Sequence, residues 1–158
     1  MKNSVIVNNN CNNLGGGIYI DSCYGNNYIN TKIEYNKSRI GGGIYISKSV
    51  SITFELPNIN YNEATDNGGG LFIDNCTNSE IYCDYNSLSM NKAKNGGGIY
   101  ITGGINNSIT RNRDSYNHKQ FYNNYAKENG GGIYIENCSY STINAIMNNN
   151  VSTIGGAI

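Results

Sequence analysis

The chain has 158 residues, a length suited to one domain, with 11 Lys plus Arg against 11 Asp plus Glu and a formal net charge of zero. Only 14% of residues are charged and no block of like charge occurs, so the sequence carries neither the electrostatic footprint of a nucleic-acid binder nor a basic stripe for an anionic membrane. No apolar run approaches the roughly 18 residues of a membrane helix, and Met1 to Asn10 lacks the apolar segment of a secretory leader; nucleic-acid binding and direct membrane insertion are not expected.

The polar half is unusual: 31 Asn and 20 Gly stand beside 14 Tyr, with one Pro and no Trp. Asn and Gly are poor helix formers, so a helical fold is disfavoured before any pattern is read. Two motifs then run through the chain in fixed order. An apolar residue, two variable residues and Asn occur as Val7 to Asn10, Ile33 to Asn36, Ile59 to Asn62, Leu88 to Asn91, Phe121 to Asn124 and Met147 to Asn150. Each is followed, five or six residues after its Asn, by a glycine run. Gly-Gly-Gly-Ile-Tyr-Ile starts at Gly15, Gly41, Gly96 and Gly130, Gly-Gly-Gly-Leu-Phe-Ile at Gly68, and a shorter Gly-Gly-Ala-Ile at Gly155.

The intervals of 26, 27, 28, 34 and 25 residues suit one turn of a parallel β-solenoid built from two or three short strands. A leucine-rich horseshoe lacks its Leu framework here, and a propeller blade needs about 40 residues. The fold predicted is all-β, a right-handed parallel β-helix solenoid with five full coils of about 25–34 residues and partial terminal coils. Residues 1–158 are read as one β-helix repeat domain, with 105–120 a loop excursion from the fourth coil. Both ends fall inside coils. Bare terminal coils expose core and strand edges, so a longer solenoid, or end-to-end self-association, is expected.

Stacked coils bring equivalent residues into contact at about 4.8 Å. Ile18, Ile44, Leu71, Ile99, Ile133 and Ile158 form one predicted core column, and Ile20, Ile46, Ile73, Ile101 and Ile135 the next. Between them, Tyr19, Tyr45, Phe72, Tyr100 and Tyr134 alternate outward and would form an exposed aromatic strip, a candidate surface for sugars or a partner. Asn10, Asn36, Asn62, Asn91, Asn124 and Asn150 would form an internal amide ladder at one corner. The glycine runs supply a corner with positive φ. Charge agrees with this register: Asp21, Ser47, Asp74, Thr102 and Glu136 never place acids on neighbouring coils, and Lys37, Glu63 and Lys92 alternate in sign.

Cys23, Cys76 and Cys138 share a column but lie two coils, or about 9.6 Å, apart, beyond the roughly 4.4–6.8 Å between Cα atoms that a disulfide spans. With Cys11 and Cys83 they are expected as free thiols. Five Cys without a Cys-x-x-Cys pair, and His118 as the sole histidine, make no zinc signature; no metal site and no cofactor is expected. The densest ionisable group, Arg111, Arg113, Asp114 and His118 with Lys119, falls in the predicted loop, a second candidate binding site. Asn-x-Ser/Thr occurs at Asn36, Asn75, Asn106, Asn137 and Asn150; Asn75 and Asn137, at turns, are the acceptors a glycosylating host would use.

The paired motifs resemble the repeats of chlamydial polymorphic outer membrane proteins, which combine Phe-x-x-Asn with Gly-Gly-Ala-aliphatic. Phe121-Tyr-Asn-Asn124 and Gly155-Gly-Ala-Ile158 match both halves literally, while elsewhere Gly replaces Ala and aliphatic residues replace Phe. The resemblance implies a right-handed, pectin-lyase-like β-helix exposed at the cell surface or outside the cell, often as an adhesin. The expected function is therefore a non-enzymatic surface module, a structural spacer or adhesin-like binder of a glycan or surface protein. The alternatives are a polysaccharide lyase or glycoside hydrolase on the same scaffold, or a fibre subunit assembling end to end; sparse carboxylates and one histidine favour the first reading.

Overall fold

A computed structural model describes residues 1–56, 58–84, 87–111 and 119–158, the side chains of residues 2, 3, 26–28 and 56 aside. It is an all-β solenoid of about five turns, and every strand pair among these residues is parallel. Strands join into a ten-stranded, a four-stranded and a five-stranded sheet. A typical coil carries four short strands rather than two or three: Leu88–Ser89, Lys92–Asn95, Ile99–Thr102 and Ser108–Arg111. The first and last belong to one sheet because Tyr24–Glu34 runs unbroken through the corner that separates them elsewhere.

The coils stack in register, so each wall of the core is a column. Ile18, Ile44, Leu71, Ile99 and Ile133 pair in sequence, as do Ile20, Ile46, Ile73, Ile101 and Ile135. Facing them are Ile6, Ile33, Ile59, Leu88, Phe121 and Met147 on one wall, and Ile29, Phe54, Ile81, Ile109 and Ile143 on another. The remaining wall is small, with Ser38, Ala64, Ala93 and Ala126 buried there. Each buried Ile or Leu stabilises the stack by about 1.5–3 kcal/mol relative to exposure.

Left-handed backbone turns the corners. The first glycine of each run has φ of 60° to 67°, where a Cβ costs most residues about 1–2 kcal/mol. The middle glycine is required for space: a Cβ on Gly97 would lie 2.5 Å from the Gly131 carbonyl oxygen and 2.6 Å from that of Tyr125. A further corner precedes the Asn column, with Asn8, Tyr35, Tyr61, Met90, Asn123 and Asn149 at φ of 53° to 59°.

The amide ladder lies just inside that corner. Asn91 Nδ2 donates to the Ile59 carbonyl at 2.8 Å and to Asn124 Oδ1 at 3.1 Å. Its Oδ1 accepts from the Asn62 amide N–H at 2.9 Å and from Asn62 Nδ2 at 3.1 Å. The same bonds recur at Asn36, Asn62 and Asn124, and Asn150 accepts from Asn124 while donating to the Phe121 carbonyl. The first rung is Asn9, not Asn10: Asn9 N and Nδ2 both donate to Asn36 Oδ1, and Ile6 rather than Val7 pairs with Ile33. The runs Val5-Ile6-Val7 and Asn8-Asn9-Asn10 satisfy the motif in two registers, and burial of Ile6 selects the earlier one.

Of residues 105–120, expected as an excursion from the fourth coil, 112–118 lie outside the described residues. Ile105 bridges Thr77 and Ser139, and Ser108–Arg111 pairs with strands on both neighbouring coils. Gln120 is buried, its Oε1 accepting from the Ile146 N–H at 2.8 Å.

Candidate functional site

The aromatic column stacks as the alternation requires. Ring centroids are 5.4 Å apart for Tyr19 and Tyr45, 5.3 Å for Tyr45 and Phe72, and 4.9 Å for Phe72 and Tyr100, all near-parallel, with Tyr134 tilted at the far end. It is not an exposed strip. Tyr45, Phe72 and Tyr100 retain only 6–8% exposure and pack with Leu14, Ile40 and Tyr134 into a second apolar cluster, whereas Tyr19 keeps 53%. A ring standing outward from a sheet is covered by the rings on the coils before and after it, so stacking itself removes the faces a sugar would need.

The tyrosine hydroxyls are engaged as well. Tyr45 Oη donates to Asp74 Oδ2 at 3.2 Å and Tyr100 Oη to Glu136 Oε1 at 2.6 Å. Burial, followed by the neighbouring carboxylate, raises both phenols above the usual tyrosine value. Asp21 accepts from the Ser47 hydroxyl, and this bond first, with Ser22 and Lys48 adding to it, holds its carboxyl below the ordinary aspartate value against some desolvation. The acids of the Asp21, Ser47, Asp74, Thr102 and Glu136 column thus act as acceptors that tie coil to coil.

The column of Cys23, Ser49, Cys76, Gly104 and Cys138 has the alternation read from the sequence, and all five cysteines are free. Cys23, Cys76 and Cys138 thiols and the Ser49 hydroxyl each point at the carbonyl two residues earlier. Among the described residues, no group of three or more His, Cys, Asp and Glu is placed to hold a metal ion. Of the candidate loop, Arg111 ends a strand beside Cys83, and Lys119 Nζ lies 4.4 Å above the Tyr122 ring; Arg113, Asp114 and His118 lie outside the described residues. Asn36 is fully buried as a ladder rung, while Asn75, Asn106 and Asn137 are exposed at corners.

The outer face of the four-stranded sheet carries the alternating charges. Lys37 Nζ sits 2.9 Å from Glu63 Oε2, Arg39 3.0 Å from Asp66 and Lys94 3.5 Å from Glu128. Lys92 lies opposite Glu63 on the next coil. Where this face meets the ladder corner, Tyr35 and Tyr61 form a second stack, centroids 4.8 Å apart and planes within 9°. These rings are 49% and 42% exposed. Sequence reasoning passed over them, although both stand immediately before a ladder Asn on neighbouring coils.

Residues 120–136 match the Chlamydia polymorphic membrane protein repeat. The match takes in the core residue Phe121, the ladder rung Asn124, the glycine corner Gly130 to Gly132 and the strand Ile133–Glu136. This coil is similar to a repeat of that family, and the remaining coils stack on it with the same ladder, corner and core positions. No curated protein and no solved structure matches the chain.

Proposed function

We propose that the chain is a non-enzymatic repeat module of a surface-exposed protein, a rigid spacer whose outer wall holds side chains at fixed spacing for a partner, as an adhesin does. The observation that carries this reading is the match of residues 120–136 to the repeat of Chlamydia polymorphic membrane proteins. The use of carboxylates supports it. Asp74 and Glu136 accept bonds from Tyr45 and Tyr100, and Asp21 from Ser47, so acids that a hydrolase or lyase would aim at substrate instead brace the stack. Fold alone does not decide function. The test is labelling of intact source cells or particles with a membrane-impermeant reagent, alongside assays for reducing ends or unsaturated products on neutral and acidic polysaccharides. Labelling without permeabilisation and no product release are expected. Labelling that requires permeabilisation, or release of products, contradicts the proposal.

A further inference from the structure

Tyr35 and Tyr61 occupy a backbone position that does not suit them. The residue before each ladder Asn is left-handed, and three of the six coils place Asn there, at Asn8, Asn123 and Asn149, the residue that adopts this conformation most readily after glycine. A bulky side chain at positive φ is an outlier, and such strain concentrates at functional sites. Two adjacent coils nevertheless place tyrosine there, at φ 57° in both, with the rings half in solvent. Neither hydroxyl has a protein partner among the described residues, unlike those of Tyr45 and Tyr100.

The rings wall a shallow recess of about 350 Å³, completed by Met90, Lys37, Glu63 and Lys92. A second recess of about 420 Å³ shares Lys37 and Glu63 with it and adds Arg39. Glu63 pairs with Lys37 and faces Lys92, and Lys92 has no ion-pair partner within 4 Å among the described residues. In the first recess Lys37 and Lys92 against Glu63 leave a balance of one positive charge. Aromatic edges with free hydroxyls, an apolar Met beside them, and cationic donors with one carboxylate acceptor make an amphipathic platform that is open, shallow and polar at its rim. The strands on either side are already paired, so the corner offers no free edge to an extended peptide.

We propose that the groove of Tyr35 and Tyr61 binds a saccharide chain bearing carboxylates, its hydroxyls and ring edges meeting the exposed edges and phenols of the tyrosines and an acidic group meeting Lys92. This deepens the binding-module reading above and rests on it. The experiment is calorimetric titration of the whole chain with a uronic-acid oligosaccharide and with a neutral gluco-oligosaccharide of equal length. Wild type is expected to bind the uronate chain more tightly. Tyr35→Asn combined with Tyr61→Asn should weaken binding by about tenfold or more, the size of a truncated anchor residue, without lowering the thermal midpoint, because Asn is native to this corner. Lys92→Gln, a change at an exposed position, should remove the preference for the acidic chain. Tyr19→Asn, at the open end of the other aromatic column, should leave binding unchanged. Wild type that binds neither chain, a double Asn variant that binds as wild type does, or an undiminished acidic preference in Lys92→Gln would overturn the assignment. Cleavage of a uronate chain that still requires Tyr35 and Tyr61 would sustain the site and overturn the non-enzymatic reading instead.

Discussion

The Tyr100 hydroxyl reaches across to the next coil and donates to Glu136 Oε1 at 2.6 Å. Burial, then the bond to Glu136 and its charge, raise the phenol above its ordinary value of 10. Tyr45 is raised in the same direction by burial and by Asp74. A proton held more tightly in the folded state stabilises the fold fully below the unfolded pKa and ceases to do so as pH climbs through the folded one. Stability should therefore be flat in this respect below about pH 10 and fall above it. Denaturant unfolding at increasing alkaline pH checks this, with phenolate absorbance reporting tyrosines that titrate late. Tyr45→Phe with Tyr100→Phe should flatten the alkaline decline; an unchanged slope would place its cause elsewhere.

The Asn91 side chain makes four ladder bonds while fully buried. Asn91→Ala leaves the Ile59 carbonyl and the Asn62 amide N–H without those partners in a site closed to water. Unsatisfied buried groups cost about 1–3 kcal/mol each, so a loss of about 3 kcal/mol or more is expected. Asn10→Ala, outside the ladder and exposed, should stay within about 0.5 kcal/mol of wild type. Chemical denaturation of Asn9→Ala and Asn10→Ala checks the first rung: a larger loss for Asn10→Ala than for Asn9→Ala would restore the register that the sequence motif suggested.

The contrast between these two asparagines shows what was legible in the sequence. Stacking repeats each environment in every coil, so columns that must satisfy the same constraint, such as the aliphatic walls, the Gly corners and the rungs from Asn36 to Asn150, announce themselves by recurrence. Where several residues in a row meet the same requirement, as in Val5-Ile6-Val7, recurrence loses its resolving power and only packing decides. Burial of the aromatic column was illegible for another reason: alternation gives the direction of Tyr45 and Tyr100, not what covers them, and the covering groups are other members of the column with Leu14 and Ile40. Tyr35 and Tyr61 escaped notice because their column is not uniform. A search for repetition overlooks the positions where a repeat departs from itself, and departures are where a binding surface differs from its scaffold.

The thiols divide by environment. Burial pushes Cys76 up to about 11 and Cys83 well above the usual thiol value, and burial with Glu136 nearby raises Cys138. The thiolate is the reactive form, so at mildly alkaline pH Cys76 and Cys83 should resist alkylation in the folded protein while Cys11 and Cys23, partly exposed, are modified first. Denatured without reductant, the protein should titrate five thiols. Mass mapping of the modified peptides checks the order, and a count of three would mean that one disulfide forms.

The glycine run presents two demands that substitution can separate. At Gly97 φ is unexceptional, yet a Cβ would sit 2.5 Å and 2.6 Å from two backbone carbonyl oxygens on the following coil, and backbone paired on both sides cannot retreat as a flexible side chain can. At Gly25, φ is 85° but nothing lies within 4 Å of the built Cβ. Gly97→Ala should therefore cost about 3 kcal/mol, the upper range for forcing atoms into a packed interior, by prising two coils apart. Gly25→Ala should cost about 1 kcal/mol, from backbone conformation alone. Denaturant midpoints compare them directly, and amide hydrogen exchange locates the damage. In Gly97→Ala, protection should fall on both sides of the joint, in Ile99–Thr102 and Ile133–Glu136, because their shared hydrogen bonds span the separated coils. Equal costs for the two substitutions would mean that the tight contact between coils is relieved by a small shift of the stack.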